Sequence, residues 1–60
     1  MKLNYDTTTD IITIRLTDAK VEQTLQVYPD VTLQLDAEKK IAAIEIHQAS
    51  QNVAAGSDVF

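Results

Sequence analysis

Four side chains in this 60-residue chain carry groups whose combination could do acid–base or metal chemistry: Asp6, Asp10, Glu45 and His47. Glu45 and His47 stand two residues apart. On a strand that spacing puts both on one side, about 6.7 Å apart along the chain. A carboxylate and an imidazole so placed can share a metal ion or pass a proton. Asp6 and Asp10 bracket the run Thr7-Thr8-Thr9 and, with Glu45, could supply an oxygen-rich cation site. Each feature also has a plainer reading. The spacing from Asp6 to Asp10 matches no cation loop such as the EF-hand, and Asp in a short polar reversal bonds nearby backbone and caps the turn. Glu45 and His47 read as the solvated outer face of a strand. With a single His, no Cys and no Ser or Thr in a nucleophile motif, no catalytic, cofactor-binding or metal residue is assigned. No cofactor is expected, and a small metal protein or enzyme built on Asp6, Asp10, Glu45 and His47 is the lesser of two readings.

The elements that must position these groups follow from a period of two. In Ile12, Ile14 and Leu16 against Thr13 and Arg15, apolar and polar residues alternate along a β-branched stretch. The same alternation sets Val31, Leu33 and Leu35 against Thr32 and Gln34, and Ala42, Ile44 and Ile46 against Glu45 and His47. Leu25 and Val27 form the inward set of a fourth run, and Leu3 and Tyr5 that of a fifth. Polar turns separate the runs. Pro29-Asp30 divides two of them because Pro has no N–H for a ladder, and the segment from Asp36 to Lys40 reads as a hairpin loop. Connections this short favour antiparallel neighbours. Residues 48–55 suit a short helix with Gly56 at its C′ position, and residues 57–60 read as a frayed tail. The expected fold is α+β and mostly β: one antiparallel meander of about five strands with a short C-terminal helix, in a single domain over residues 1–60.

The outward residues offer two further groupings. Arg15 and Glu45 would form a cross-strand pair if their strands are neighbours, and Tyr28, Ile11 and Ile41 would form an outer apolar cluster.

Composition narrows the function classes. A net charge of −4, with five Lys and Arg in all, lacks the basic footprint of a nucleic-acid binder and suits an anionic membrane surface no better. No stretch approaches the ~18 apolar residues of a membrane-spanning helix, and the N-terminus has no signal-peptide run. The expectation is therefore a complete small cytoplasmic protein. For so short a chain, apolar burial and ordering entropy come out nearly equal. No disulfide or thiolate zinc site is available to add stability, because Cys is absent. All the apolar alternation falls on one face of one sheet, which a single short helix covers only in part, and domains need at least two packed layers. A homodimer is the expected staple, with a second protein as a further partner. A ligand pocket of ~300–1,000 Å³ is hard to build from so few residues unless two subunits share it.

Three stretches carry a resemblance. Tyr5-Asp6 is followed by Asp10 and then the Ile12, Ile14, Leu16 strand; Val31 to Asp36 is a strand ending in an acidic turn; and Ile44-Glu45-Ile46 precedes Ala49-Ser50. In this order the chain resembles, from Lys2 to Ser50, the small bacterial proteins of domain-of-unknown-function family 2283. It departs from that family where Lys39 stands in place of a usual glycine in the hairpin loop, and where Ala43 stands in place of the glycine of Gly-Ile-Glu-Ile. Glycine at those places suggests tight turning and close backbone approach. The resemblance implies no activity. Through members encoded beside toxin-like proteins, it implies an antitoxin-like version of the interaction reading.

Overall fold

The computed structural model describes residues 1–60. Five strands form in chain order: β1 (Lys2–Asp6), β2 (Ile11–Arg15), β3 (Gln23–Tyr28), β4 (Val31–Leu35) and β5 (Ile41–Ile46), followed by one helical turn, α1 (Ala49–Asn52). They make a single antiparallel sheet in the order β1-β2-β5-β4-β3. The mostly β architecture with a short C-terminal helix is therefore as the alternation predicts. The strand order departs from a simple meander in one place. β5 inserts between β2 and β4, and the connection over residues 16–22 carries the chain from β2 to the far edge. Strands β3, β4 and β5 are joined by hairpins and β2 lies beside β5, a Greek key read from its C-terminal end. The long connection runs past the end of the sheet where β4 turns into β5. There the N–H groups of Leu16 and Thr17 donate to the Ala42 carbonyl, and that of Glu22 donates to the Leu35 carbonyl.

Because directly opposed residues of antiparallel strands share a face, the register defines the two sides. Leu3, Ile14, Ile44, Leu33 and Leu25 lie opposite one another in turn, one from each strand, in an unbroken apolar row across the sheet. Beside it runs a second row of Tyr5, Ile12, Ile46, Val31 and Tyr28. The other face carries Asn4, Thr13, Glu45, Thr32 and Gln26 in one row and Lys2, Arg15, Ala43, Gln34 and Thr24 in the next. The register shifts at two places, leaving Val27 as an extra residue in β3 and Ala42 as one in β5.

The C-terminal segment differs from the sequence expectation. The helix covers four residues and ends at Val53, whose backbone is extended (φ −95°, ψ 134°). Gly56 has φ 90° but lies in a later turn rather than at the helix end. The tail folds back on the sheet. Val59 and Ser57 are half-buried, and the Phe60 ring meets the Tyr5 ring edge-on at a centroid distance of 4.9 Å. This contact returns the tail to the apolar face at its Tyr5 end. No helix is long and apolar enough to cross a membrane.

The β4–β5 loop explains one departure from the family pattern. Asp36 accepts the N–H groups of Glu38 and Lys40 on Oδ1, while its backbone N–H donates to the Lys40 carbonyl and its carbonyl accepts from the Lys39 N–H. Closing the loop this way puts Lys39 at φ 64°, where a Cβ meets the following carbonyl and glycine does not. Ala43, at the second departure, has no exposed surface, so a larger side chain there would have to displace its neighbours. The expected outcome for Lys39→Gly is a gain in stability of about 0.5–1 kcal/mol, because the relief of left-handed strain exceeds the added entropy of the unfolded chain. A urea melt in which Lys39→Gly is no more stable than the parent chain would contradict the loop geometry.

Candidate functional site

The four residues that could do chemistry come apart into two structural groups. Glu45 and His47 do share a side, at the C-terminal end of the central strand β5. Nε2 of His47 lies 3.3 Å from Oε1 of Glu45, and both side chains keep contact with solvent. Glu45 sits directly between Thr13 and Thr32, so it has no second carboxylate or imidazole opposite it. Asp6 folds onto its own turn. Its Oδ1 accepts the N–H groups of Thr8 and Thr9, and its carbonyl accepts that of Asp10. No three His, Asp or Glu side chains converge anywhere in the structure in a group that could hold a metal ion. The one cavity, about 100 Å³, opens between Met1, Lys2, Arg15, Leu16, Thr17 and Asp18. It contains none of the four and falls short of the ~300 Å³ of a small-molecule pocket.

Two expected pairings on the outer face are also corrected. The strands of Arg15 and Glu45 are neighbours, but the register sets Arg15 opposite Ala43 and Glu45 opposite Thr13. The Arg15 guanidinium instead donates to the Ala19 carbonyl at 3.0 Å and ties down the β2–β3 connection. The cluster of Tyr28, Ile11 and Ile41 does not form either. Ile11 lies opposite Asp6 and Ile41 opposite Leu35, while the extra residue Val27 brings Tyr28 into register with Val31 on the apolar face.

Asp10 is engaged by hydrogen bonds from two other segments. It stands just before β2 with φ 58°, a conformation that Asp tolerates better than most residues. Its Oδ1 accepts the Tyr5 hydroxyl at 2.6 Å and the Ser50 N–H at 3.1 Å, and its Oδ2 accepts the Ser50 hydroxyl at 2.6 Å. Its carbonyl accepts the N–H of Ala49, the fully enclosed first residue of α1. Asp30 repeats the arrangement before β4, on the other side of β5. Its φ is 65°, its carboxylate accepts from Asn52 at 3.2 Å and from Gln48 at 3.4 Å, and its carbonyl accepts the N–H of His47. The segment leaving β5 is thus held between two left-handed aspartates, one on each flanking strand. Sequence reading missed Asp30 and Asn52. The only signal was the repeat of Tyr and Asp ahead of an alternating strand, Tyr5 to Asp10 and Tyr28 to Asp30.

The electrostatics of this clamp follow from its bonds. The Ser50 hydroxyl, then the Tyr5 hydroxyl and the Ser50 N–H, hold the Asp10 carboxyl below the usual carboxylate range, against the opposing pull of partial burial. The bond to Asp10, with partial burial and the charge of that carboxylate, raises the Tyr5 phenol above its ordinary value.

The remaining feature is the apolar face. Only five residues are buried (Ile12, Leu35, Ala42, Ala43 and Ala49), and no large side chain is fully enclosed. Leu3 and Leu25, at the two ends of the five-residue row, are 55% and 45% exposed. Compared with known proteins, residues 2–50 match the family model described as Protein of unknown function (DUF2283). No curated protein and no solved structure matches the chain.

Two outcomes test these assignments. His47→Ala should change stability by no more than about 1 kcal/mol, the range of a solvent-accessible pair; a larger loss in a denaturant melt would give the Glu45–His47 contact a structural role. The clamp predicts a pH window. A depressed Asp10 pKa adds stability above the unfolded value of about 3.9, lost as pH falls through the folded value; a raised Tyr5 pKa adds stability below about 10, lost as pH rises through its folded value. Asp10→Asn keeps a residue that tolerates the left-handed backbone but removes the charge. It should lower the melting temperature at neutral pH and flatten both limbs of its pH profile. A variant profile parallel to the parent's would contradict the clamp.

Proposed function

The chain belongs to the DUF2283 family, and we propose that it acts as a homodimeric protein-interaction module whose contact surface is the apolar face of its sheet. The observation that carries this reading is the apolar row of Leu3, Ile14, Ile44, Leu33 and Leu25, none of whose residues is buried and whose ends are about half-exposed. The total exposed area of the molecule supports the same reading. A folded monomer of 6.6 kDa should expose about 3,900 Å² by the scaling of area with mass. This chain exposes 4362 Å², a surplus of about 500 Å² against that scaling. Its radius of gyration, 11.7 Å, likewise exceeds the ~10.4 Å expected for 60 residues. Both are the marks of a slab with one layer too few. Contiguous exposed apolar surface of several hundred Å² is characteristic of association sites. A second protein, antitoxin-like in the version that the family resemblance implies, would then meet surfaces the pair leaves free.

Sedimentation should show a dimer, and the melting temperature should rise across a hundredfold increase in concentration, as mass action requires when folding and association are linked. A 6.6 kDa monomer with one melting temperature at every concentration would overturn the reading.

A further inference from the structure

We infer that the free edge of β1 is a self-recognition surface: a second copy pairs with it antiparallel about a two-fold axis at Asn4, joining two sheets edge to edge. The contact lies apart from the apolar face and stands or falls without it. β1 reads Lys2-Leu3-Asn4-Tyr5-Asp6 and has β2 on one side only. On its other side, alternate backbone N–H and C=O groups have no strand to meet. A two-fold contact sets residue i against residue j and j against i. Centred on Asn4, it opposes Lys2 to Asp6 of the second copy, Leu3 to Tyr5, and Asn4 to its own counterpart. Directly opposed residues share a face. Lys2, Asn4 and Asp6 alternate onto the polar face, Leu3 and Tyr5 onto the apolar one. Every pair therefore matches in kind, with opposite charges outside and apolar side chains inside. Moving the centre to Leu3 or Tyr5 opposes Lys2 or Asp6 to Asn4 and pairs no charges.

The isolated chain leaves these charges unpaired. Lys2 stands directly opposite Arg15, and like charges so placed repel. Asp18 lines the cavity beside them, yet the ion pairs of the chain are Lys20–Glu22 and Glu45–His47. Asp6 takes the N–H groups of Thr8 and Thr9 on Oδ1, which leaves Oδ2 open to a cation. Asp6 of a second copy, set beside Lys2, offsets the Lys2–Arg15 repulsion, and Leu3, 55% exposed, gains a Tyr5 ring. The opposite edge lacks this pattern. β3 carries no charge, bulges at Val27 and runs into Pro29, so nothing in it selects a register. An edge Lys ordinarily discourages foreign strands; with Asp6 in the same strand, it favours the chain's own copy in one register.

A contact along one short strand belongs to the small, weak class of interfaces, and a disulfide traps it. The chain has no Cys. Opposed Cα atoms lie about 4.5–5.5 Å apart, within the roughly 4.4–6.8 Å that a disulfide spans. With oxidised glutathione as oxidant, Asn4→Cys should form a disulfide dimer at least about tenfold faster than Thr24→Cys, an exposed position on the same face of β3. Each rate is divided by that of the same thiol with a small neutral disulfide, which removes differences in thiol reactivity. Adding Lys2→Glu, which sets a carboxylate against Asp6 at both ends, should abolish the advantage. Equal rates at Asn4→Cys and Thr24→Cys, or a rate that Lys2→Glu does not move, would overturn the edge contact. Should Asn4→Cys fail to fold, sedimentation decides: Lys2→Glu should weaken self-association at least about fivefold with an unchanged circular dichroism spectrum. A parent dimer whose dissociation constant ignores Lys2→Glu would overturn the edge contact and leave the apolar-face reading in place.

Discussion

A sheet with one apolar face must bury that face, and this chain supplies only a fraction of the layer that would do so. The row of Leu3, Ile14, Ile44, Leu33 and Leu25 uses one residue from every strand, so no strand can be reoriented to hide it. A one-residue slip would turn every apolar side chain outward on its strand. What the chain adds is a single helical turn and an eight-residue tail from Val53 to Phe60. These reach the second row, where Ile12 is 2% exposed, and leave the first row half-open. Burial and ordering nearly balance in so small a domain, so surface left uncovered weighs directly on its stability.

The clamp shows how the part-layer is held at all. A helical turn of four residues has no independent stability, and tail residues with few neighbours normally fray. Here the chain emerges from the central strand between β2 and β4, which both run antiparallel to it and so begin on either side of its C-terminal end. An aspartate in the left-handed conformation precedes each of these strands. Its carbonyl takes an N–H from the emerging segment and its carboxylate takes side chains from it. Inserting β5 at the centre is what makes this two-sided grip available. In a sequential meander β5 would be an edge strand, with one neighbour and one aspartate.

The strands were legible because alternation is a property of local sequence, and Leu3, Tyr5, Ile12, Ile14, Leu25, Val31, Leu33, Ile44 and Ile46, read from it as inward, lie on one face of the sheet. Asp6 and Asp10 as turn formers were legible for the same reason. Strand order was not, because a seven-residue connection after Arg15 is compatible both with a neighbouring strand and with a jump to the far edge. Tyr28 was misplaced because its side depends on the bulge at Val27, which no pattern of period two contains. Asp30 was read as part of a break after Pro29; its grip on Gln48 and Asn52 spans 18 and 22 residues, beyond the range of any local pattern. Tyr5, Asp10 and Ser50, which carry the family resemblance, turn out to be one hydrogen-bonded group. The motif is therefore explained by architecture before any chemistry is invoked.

That explanation shifts where function should be sought. The residues most suggestive of catalysis divide between a turn, a clamp and a solvent-facing pair, and each is accounted for by the hydrogen bonds it makes. The side chains with the least internal cover are apolar: Leu3, Leu25 and Val27 on the sheet, all about half-exposed. Large side chains that remain half-exposed in a domain with so little buried core contribute only part of the burial free energy they could. The tail reaches the Tyr5 end of the second row and leaves Leu3, in the adjoining row, 55% exposed. The hydrogen bonds around Asp10 therefore set how far the chain's own part-layer extends over the apolar face.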